Sequence, residues 1–341
     1  MKKNKDIIIL GIETSCDETS IAVVKNGREV LSNVVNTQID IHKLYGGVVP
    51  EIASRNHIMN IDGVYNEALE QAGVTIDDID AIAVTYGAGL LGALIVGVNF
   101  AKALAYSTGK PLIAVNHIEG HIAGNYIAHK DLEPPFACLI VSGGHTALVE
   151  METYTKRKLI GTTTDDAIGE AFDKVARECG LSYPGGPNVQ KQAESGSATI
   201  KFTNMYKEKI VDFNFSYSGL KTAVINYIHN KKQRNEEINI PEICASFQDE
   251  AVMQVVRKSM FALQKFGYDK IVLAGGVSAN LHLRNKMTEE AEKINSKVYF
   301  PPLKLCTDNA AMIASAGYYN YIENKGIVDP KVLVPTSNIA L

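Results

Sequence analysis

The residues with the clearest chemical potential are two histidines four positions apart, in the segment His117-Ile118-Glu119-Gly120-His121. Side chains at i and i+4 share one face of a helix, so both imidazoles can reach one metal ion. A zinc protease of the H-E-x-x-H kind needs its glutamate directly after the first histidine, as the base. Glu119 instead lies two positions after His117, roughly 200° around a helix at about 100° per residue. The spacing therefore predicts a pair of metal ligands without a protease base, and the alternative is two polar residues near a helix start.

A carboxylate far along the chain, Asp308, could complete such a site. It lies directly before a predicted helix at residues 310–322, where a helix N-cap is the favoured interpretation of the residue on its own. With His117 and His121 it would form a set of two histidines and one carboxylate, which leaves open positions on a metal. That set suits Fe(II), with Zn(II) as a rival.

Three polar turns could hold a phosphate. Residues 142–144 (Ser-Gly-Gly) lie between two predicted strands and offer backbone N–H groups with no Cβ in the way. Residues 14–20 are their counterpart and carry Asp17 and Glu18 among hydroxyls, while residues 274–280 follow a strand and open a helix. Each turn alone is weak evidence, but the three together favour nucleotide binding. Taken alone, Asp173 is typical of a solvated helix face. Residues 184–187 are typical of an ordinary turn.

The elements that must position these residues repeat along the chain. An apolar run, a polar turn and a second apolar run occupy residues 7–24, and the same order recurs at residues 137–149. Short buried strands at residues 81–85, 112–116 and 271–274 each precede a helical stretch, which indicates βαβ units. The region of about 165–265 has no clear strand and is predicted to be a helical insertion. The sequence therefore predicts a duplicated α/β protein.

The length of 341 residues favours two domains. The predicted first lobe covers residues 1–133, the second lobe residues 134–326, and a tail residues 327–341. An apolar content of 46% and a charged content of 21% exclude a disordered or coiled-coil chain. The net charge of −4 argues against a nucleic-acid partner. Five scattered cysteines and a longest apolar stretch of twelve residues, 87–98, predict a cytoplasmic protein with no membrane segment.

Taken together, the motifs resemble those of one known family. They are Gly11-Ile12-Glu13-Thr14-Ser15-Cys16-Asp17-Glu18-Thr19, Tyr45-Gly46-Gly47-Val48-Val49-Pro50-Glu51, His117-Ile118-Glu119-Gly120-His121, Val141-Ser142-Gly143-Gly144-His145-Thr146, Gly169-Glu170-Ala171-Phe172-Asp173-Lys174, Pro184-Gly185-Gly186-Pro187 and Gly275-Gly276-Val277-Ser278-Ala279-Asn280. From about residue 7 to residue 326 the chain resembles the bacterial tRNA N6-adenosine threonylcarbamoyltransferases, once known as O-sialoglycoprotein endopeptidases.

The resemblance implies an actin-like, Hsp70-like ATPase fold, with two lobes of duplicated origin and a nucleotide cleft between them. It implies that His117, His121 and Asp308 ligate one divalent metal, usually Fe(II), with Zn(II) or Mg(II) as alternatives. It also implies an adenylate site built from Ile140, Val141, Ser142, Gly143, Gly144, Asp173, Gly186, Gln190 and Asn280. The family usually has aspartate at position 190, and Gln190 can still accept from a ribose hydroxyl although it carries no charge.

The implied reaction moves a threonylcarbamoyl group from its AMP mixed anhydride to N6 of adenosine at position 37 of tRNAs that read codons beginning with adenine. The metal would act as a Lewis acid, and N–H groups of residues 142–144 would stabilise negative charge. Asp17 and Glu18 would accept protons. A small-molecule kinase or ATPase, a metalloprotease and a non-catalytic scaffold in an RNA-modifying complex are the rival interpretations.

The resemblance also implies partners: tRNA, a smaller paralogous subunit, a P-loop ATPase and the enzyme that makes the adenylate. The net charge is then a weak argument against RNA, because a tRNA needs only a local basic patch. Residues that could form one are Lys156, Arg157, Lys158, Lys201, Lys207, Lys209, Lys231, Lys232 and Arg234. The acidic balance still predicts weak tRNA binding by the isolated chain.

Overall fold

The computed structural model describes residues 6–204 and 209–339. Its strands are β1 (Ile8–Glu13), β2 (Glu18–Lys25), β3 (Glu29–Thr37), β4 (Ala81–Gly87), β5 (Leu112–Asn116), β6 (Phe136–Val141), β7 (Thr146–Met151), β8 (Arg157–Thr162), β9 (Lys270–Ala274), β10 (Lys297–Tyr299) and β11 (Ile327–Val328). Its α-helices are α1 (Ile39–Lys43), α2 (Pro50–Ala72), α3 (Leu91–Thr108), α4 (His117–Ala128), α5 (Ile168–Glu178), α6 (Gly185–Ala193), α7 (Ser218–Gln233), α8 (Ile240–Phe266), α9 (Leu281–Glu292) and α10 (Ala310–Ile322).

Two compact units share the chain. The first holds the residues up to Pro134, the short segment Thr153–Lys156 and the residues from Pro301 onward. The second holds Pro135–Glu152 and Arg157–Phe300. Each unit has its own buried apolar core, the first centred on β1, β2 and β4 and the second on β6, β7, β9 and α8.

The sheet of the first unit has the strand order β11-β5-β4-β1-β2-β3. The hairpin β1–β2 is antiparallel, whereas β1, β4 and β5 run parallel to one another. Strand β1 is buried from Ile9 to Glu13 because both faces of the sheet are covered. The carboxyl ends of β1, β4 and β5 therefore lie side by side, and α4 begins directly after β5.

The sheet of the second unit, in the order β10-β9-β6-β7-β8, repeats this arrangement. The hairpin β6–β7 is antiparallel and corresponds to β1–β2, and β9 pairs parallel with β6 as β4 pairs with β1. The duplication predicted from two hairpins therefore extends over five strands of each sheet. Between β8 and β9, over the described residues, the chain forms the helices α5, α6, α7 and α8 in the region predicted as a helical insertion.

Residues 301–326 lie in the first unit, whereas the sequence predicts them to belong to the second lobe, at residues 134–326. In the chain, α10 follows β10 of the second unit, just as α4 follows β5 of the first. Helix α10 nevertheless packs against α4, β1 and β2 of the first unit. Gly11 permits this approach, because a Cβ there would lie 2.3 Å from the carbonyl oxygen of Ala310. The predicted tail also joins this unit, since β11 pairs with β5 and Leu333 is buried in its core.

Helix α3 is longer than the twelve-residue apolar stretch predicted. It spans Leu91–Thr108, and among the described residues it is the one helix with the length and composition of a membrane span. One such helix is weak evidence, because core helices of globular proteins pass the same test. Helix α3 packs on α2 and β4 and buries Leu94, Val98 and Ala101.

Candidate metal centre and nucleotide-binding turns

The two histidines of the predicted metal site lie on the first two turns of α4. Asn116 is the N-cap, and its side chain accepts from the N–H of Ile118 at 2.9 Å. This cap fixes His117 as the first helical residue, so that His121 follows one turn later on the same face. The two rings are in edge-to-face contact, with centroids 4.6 Å apart. The predicted i, i+4 pair is therefore formed.

Asp308 is not the N-cap of α10, which was its favoured interpretation on its own. Asn309 holds that position and accepts from the N–H of Met312 at 3.1 Å. The carboxylate of Asp308 is therefore left for other partners. Its Oδ1 lies 3.4 Å from Nε2 of His117 and 3.3 Å from Nε2 of His121.

These three side chains fit a divalent metal. One donor atom from each lies within 4.8 Å of the others, and all three groups are largely buried. Burial would raise the pKa of Asp308, but the two imidazoles outweigh it and hold that pKa far below its usual range. A buried set of two imidazoles and one carboxylate suits Fe(II) or Zn(II). Glu119 does not join it, because its carboxylate lies 3.5 Å from the amide of Asn320 on α10.

Asp17 and Glu18, the predicted proton acceptors, are both buried where the first polar turn meets β2. Burial, and then the charges of Asp308 and Asp17, raise the pKa of Glu18 to about 10. Glu18 also accepts from the hydroxyl of Thr37 at 3.1 Å. In the metal-free protein Glu18 therefore carries a proton at neutral pH, and a bound cation would offset the contribution of Asp308. Of the two carboxyl groups, Asp17 is the better candidate acceptor.

Sequence reasoning assigned no role to His57, which holds this turn in place. The buried ring of His57 lies on α2, where no local motif marks it. Its Nε2 donates to the carbonyl of Cys16 at 2.9 Å, and its Nδ1 accepts from the hydroxyl of Thr19 at 2.7 Å. The conformation of the turn therefore depends on a residue about forty positions away in the chain.

The Gly-rich turn of the second unit is open to solvent. Ser142 closes it: its N–H donates to the carbonyl of His145 at 2.8 Å, and its hydroxyl accepts from the N–H of His145 at 3.1 Å. A Cβ on Gly143 or Gly144 would meet nothing within 4 Å. Packing inside the protein therefore does not require glycine here, whereas close approach of a ligand to the backbone would. Ile140 and Val141 are buried at the end of β6 and anchor the turn.

The start of α5 packs directly on this turn. A Cβ on Gly169 would lie 2.6 Å from the carbonyl oxygen of Ser142, so only glycine permits the contact. The N–H of Gly169 donates to that carbonyl at 3.3 Å. The 3₁₀ turn Gly276–Ala279 also contacts both α5 and β6. Residues from three distant parts of the sequence therefore surround the turn.

The remaining predicted adenylate residues lie on the helices next to it. Asp173 accepts from the N–H of Gly185 at 2.9 Å and from the N–H of Gly186, and burial raises its pKa despite these bonds. Asn280 caps α9 and donates to the side chain of Gln248 at 2.8 Å. Gln190 accepts from the N–H of Leu281 at 2.8 Å. Asp173 on α5 thus contacts the start of α6, and Gln190 on α6 contacts the start of α9, which Asn280 caps.

The basic residues predicted for RNA contact are partly neutralised. Lys231 pairs with Glu236 at 2.9 Å, and Lys232 pairs with Glu178 at 3.0 Å. Lys209 lines a cavity of about 300 Å³ together with Arg257 and Lys258. Lys207 lies outside the described residues.

The fold of the chain is that of known structures with little sequence identity. HypF of T. kodakarensis matches with a TM-score of 0.63 at 14% identity, over 94% of this chain and 48% of that one. Component A of the (R)-2-hydroxyglutaryl-CoA dehydratase of Acidaminococcus fermentans matches with a TM-score of 0.53 at 14% identity, over 93% and 99%. These likenesses confirm the predicted actin-like ATPase fold.

Curated relatives are much more similar in sequence. A tRNA N6-adenosine threonylcarbamoyltransferase of Clostridium perfringens is 56% identical over 337 residues, which is 98% of each chain. The enzyme of the same name from Clostridioides difficile is 55% identical over 321 residues, 94% of this chain and 95% of that one. The model of the family described as tRNA N6-adenosine threonylcarbamoyltransferase matches residues 29–315. This chain therefore belongs to the tRNA N6-adenosine threonylcarbamoyltransferase family, as its motifs predict.

Proposed function

We propose that the protein transfers the threonylcarbamoyl group of threonylcarbamoyl-AMP to N6 of the adenosine beside the anticodon in tRNAs that read codons beginning with adenine. The observation that carries this proposal is membership of the family over nearly the full chain. The grouping of two histidines and Asp308 in the first unit supports it. The open Gly143-Gly144 turn in the second unit supports it as well.

His117, His121 and Asp308 would hold the metal, Fe(II) in first place and Zn(II) or Mg(II) as alternatives. A divalent cation at this site would supply Lewis acidity. It would stabilise the negative charge that develops on an acyl or phosphoryl oxygen of the substrate. Two neutral imidazoles and one carboxylate leave a net positive charge on a bound divalent ion. The donor set is therefore compatible with an anionic substrate such as an adenylate.

The second unit would hold the adenylate. N–H groups of the Ser142–Gly144 turn would contact phosphate or the negative charge that develops at the carbonyl group. Asp173 and Gln190 have oxygen atoms that can accept from ribose hydroxyls, and Asn280 would contact the base or the sugar. Ile140 and Val141 would set the position of the turn rather than contact the substrate with their side chains.

Asp17 would take the proton that leaves the adenosine amine when the new C–N bond forms. The reaction breaks the mixed anhydride, so AMP leaves with the bonding electron pair. Burial and the charge of Asp17 favour the protonated form of Glu18, which would keep the pair at a single negative charge. This arrangement keeps one buried carboxylate available as a base.

The implied partners are tRNA, the smaller paralogous subunit, the P-loop ATPase and the adenylate-forming enzyme, and the place of action is the cytoplasm. Lys231 and Lys232 are paired with glutamates, and the net charge of the chain is −4. Weak tRNA binding by the isolated chain is therefore expected, with RNA affinity supplied by the assembly.

A reconstitution tests the proposal. The purified chain is combined with the partners, threonine, bicarbonate, ATP and unmodified tRNA, and the tRNA nucleosides are analysed by mass spectrometry. Threonylcarbamoyl adenosine that depends on this chain supports the proposal, and His117→Ala in chelator-treated buffer is expected to abolish it. Absence of the modified nucleoside together with cleavage of a glycoprotein would instead favour a protease, and ATP hydrolysis by the purified chain without its partners would favour a kinase or ATPase.

A further inference from the structure

The metal ligand His117 has a buried carboxylate behind it, at the end of β1. Glu13 has no exposed surface, and its Oε2 lies 3.1 Å from Nδ1 of His117. Glu13 is the last residue of β1 and His117 follows β5, and these two strands flank β4 in one parallel set, β1-β4-β5. The carboxyl ends of parallel strands meet at one sheet edge, which is where open α/β sheets place their sites.

Two further groups hold the Glu13 carboxylate in this position. The hydroxyl of Thr85, on β4, donates to Oε2 at 2.6 Å, and the backbone N–H of Ser15 donates to Oε1. A carboxylate that receives donors on both oxygens acts only as an acceptor. The third contact, with His117, therefore requires the proton of that imidazole on Nδ1. The hydroxyl of Ser15, also 3.1 Å from Nδ1, can share it.

The consequence concerns the other nitrogen of the ring. With the proton on Nδ1, the lone pair of a neutral His117 is on Nε2, which lies 3.4 Å from Asp308 and faces the metal-ligand set. A carboxylate behind a ligating histidine fixes its tautomer and ring orientation and raises its basicity as a ligand. His121 has no such support, because its buried Nδ1 has no hydrogen-bond partner among the described residues.

We propose that Glu13 is a positioning residue for the metal, which selects Nε2 of His117 as the ligating atom, with Thr85 holding Glu13 in turn. The proposal rests on the proposed metal site and adds a residue that does not itself reach the ion. It divides the two histidines into a pre-oriented ligand, His117, and a ligand oriented by the protein fold alone, His121.

Metal affinity of the full chain tests the proposal without reference to catalysis. Zn(II) is titrated against a competing chelator for the unsubstituted protein, Glu13→Gln and a matched control, Glu250→Gln. Glu250 is equally buried but lies in the second unit, where it accepts from Phe202 and Thr203. Glutamine at position 13 places an N–H₂ group against one of the donors. A loss of about 10- to 100-fold in affinity is expected for Glu13→Gln and none for Glu250→Gln. Equal affinity of Glu13→Gln and the unsubstituted protein would overturn the proposal.

A spectroscopic test covers the case in which Glu13→Gln does not fold. In ¹⁵N-histidine-labelled, Zn(II)-loaded unsubstituted protein, the His117 ring is expected to carry its proton on Nδ1 and to bind through Nε2. A proton on Nε2 would overturn the proposal. The signal is assigned by its loss in His117→Gln. If the unsubstituted protein binds no metal at all, the proposed metal site fails; if it binds metal and only the Glu13 results are contrary, this inference alone fails.

Discussion

Nε2 of His57 lies 2.9 Å from the carbonyl oxygen of Cys16, and the ring bridges α2 to the turn that carries Asp17 and Glu18. Because a carbonyl only accepts, Nε2 carries the ring proton, and Nδ1 is left to accept from Thr19. The bond that Nδ1 accepts from Thr19 thus exists only for the neutral imidazole, whereas the bond from Nε2 to Cys16 is compatible with either form of the ring. Burial lowers the pKa of His57 below its ordinary value of about 6.5.

This pKa shift predicts a dependence of stability on pH. The unfolded chain protonates His57 as the pH falls through about 6.5, while the folded chain protonates it only at lower pH. The free energy of unfolding therefore falls as the pH falls through that window. Replacement His57→Gln is expected to cost about 1–3 kcal/mol at pH 8 and less at pH 5.5. Urea unfolding at the two pH values measures both. His229→Gln, at an exposed site, is the control, and a pH-independent cost for His57→Gln would contradict the prediction.

Asp308 and Asn309 are adjacent but have separable roles. Asp308→Asn removes the carboxylate that both imidazoles face and is expected to abolish stoichiometric metal binding while the fold remains. Asn309→Ala removes the cap of α10 and is expected to cost about 1 kcal/mol while metal binding persists. Metal content after dialysis and urea unfolding distinguish the two. Full metal content in Asp308→Asn would show that the carboxylate is not a ligand.

Arg28 forms hydrogen bonds at the C-terminal end of α4, the helix that carries His117 and His121. Its guanidinium donates to the carbonyl oxygens of Tyr126 at 3.1 Å, His129 at 2.8 Å and Leu132 at 2.9 Å. Arg28→Met leaves these carbonyls without that donor and is expected to destabilise the protein by about 3 kcal/mol. Arg28→Lys keeps the charge but not the planar fork, so an intermediate loss is expected. Equal stability of all three proteins in urea would exclude this role.

Two glycines of the second unit should respond differently to the same added methyl group. Gly143→Ala meets no atom within 4 Å and is expected to leave the melting temperature unchanged while raising the KM for the adenylate. Gly169→Ala would place its Cβ 2.6 Å from a backbone carbonyl and is expected to lower the melting temperature. Thermal unfolding and adenylate-dependent transfer kinetics measure the pair. An unchanged KM in Gly143→Ala would argue against adenylate contact at this turn.

Several features of the fold follow from local sequence patterns. The hairpins β1–β2 and β6–β7, the strand Leu112–Asn116 and the helix Ala310–Ile322 lie where alternation, apolar runs and helix periodicity predict them. The duplication was visible in two hairpins because both open their units with the same apolar-polar-apolar order. Helix α8 begins at Ile240 inside the predicted helical insertion, where Asn239 caps it and a proline occupies its first turn.

The sequence by itself determined the family, the α/β class and the pair His117 and His121, because these depend on residue identity and on spacing within one helix turn. Only the tertiary structure decided the features that depend on contacts between residues far apart in the chain. Residues 301–326 join the first unit because the close packing of α10 on β1 at Gly11 outweighs proximity along the chain. Asp308 can contact the two histidines because its neighbour Asn309, and not Asp308, is the N-cap of α10. Glu13 and His57 acquire their roles through contacts between residues 104 and 41 positions apart, which no local pattern encodes.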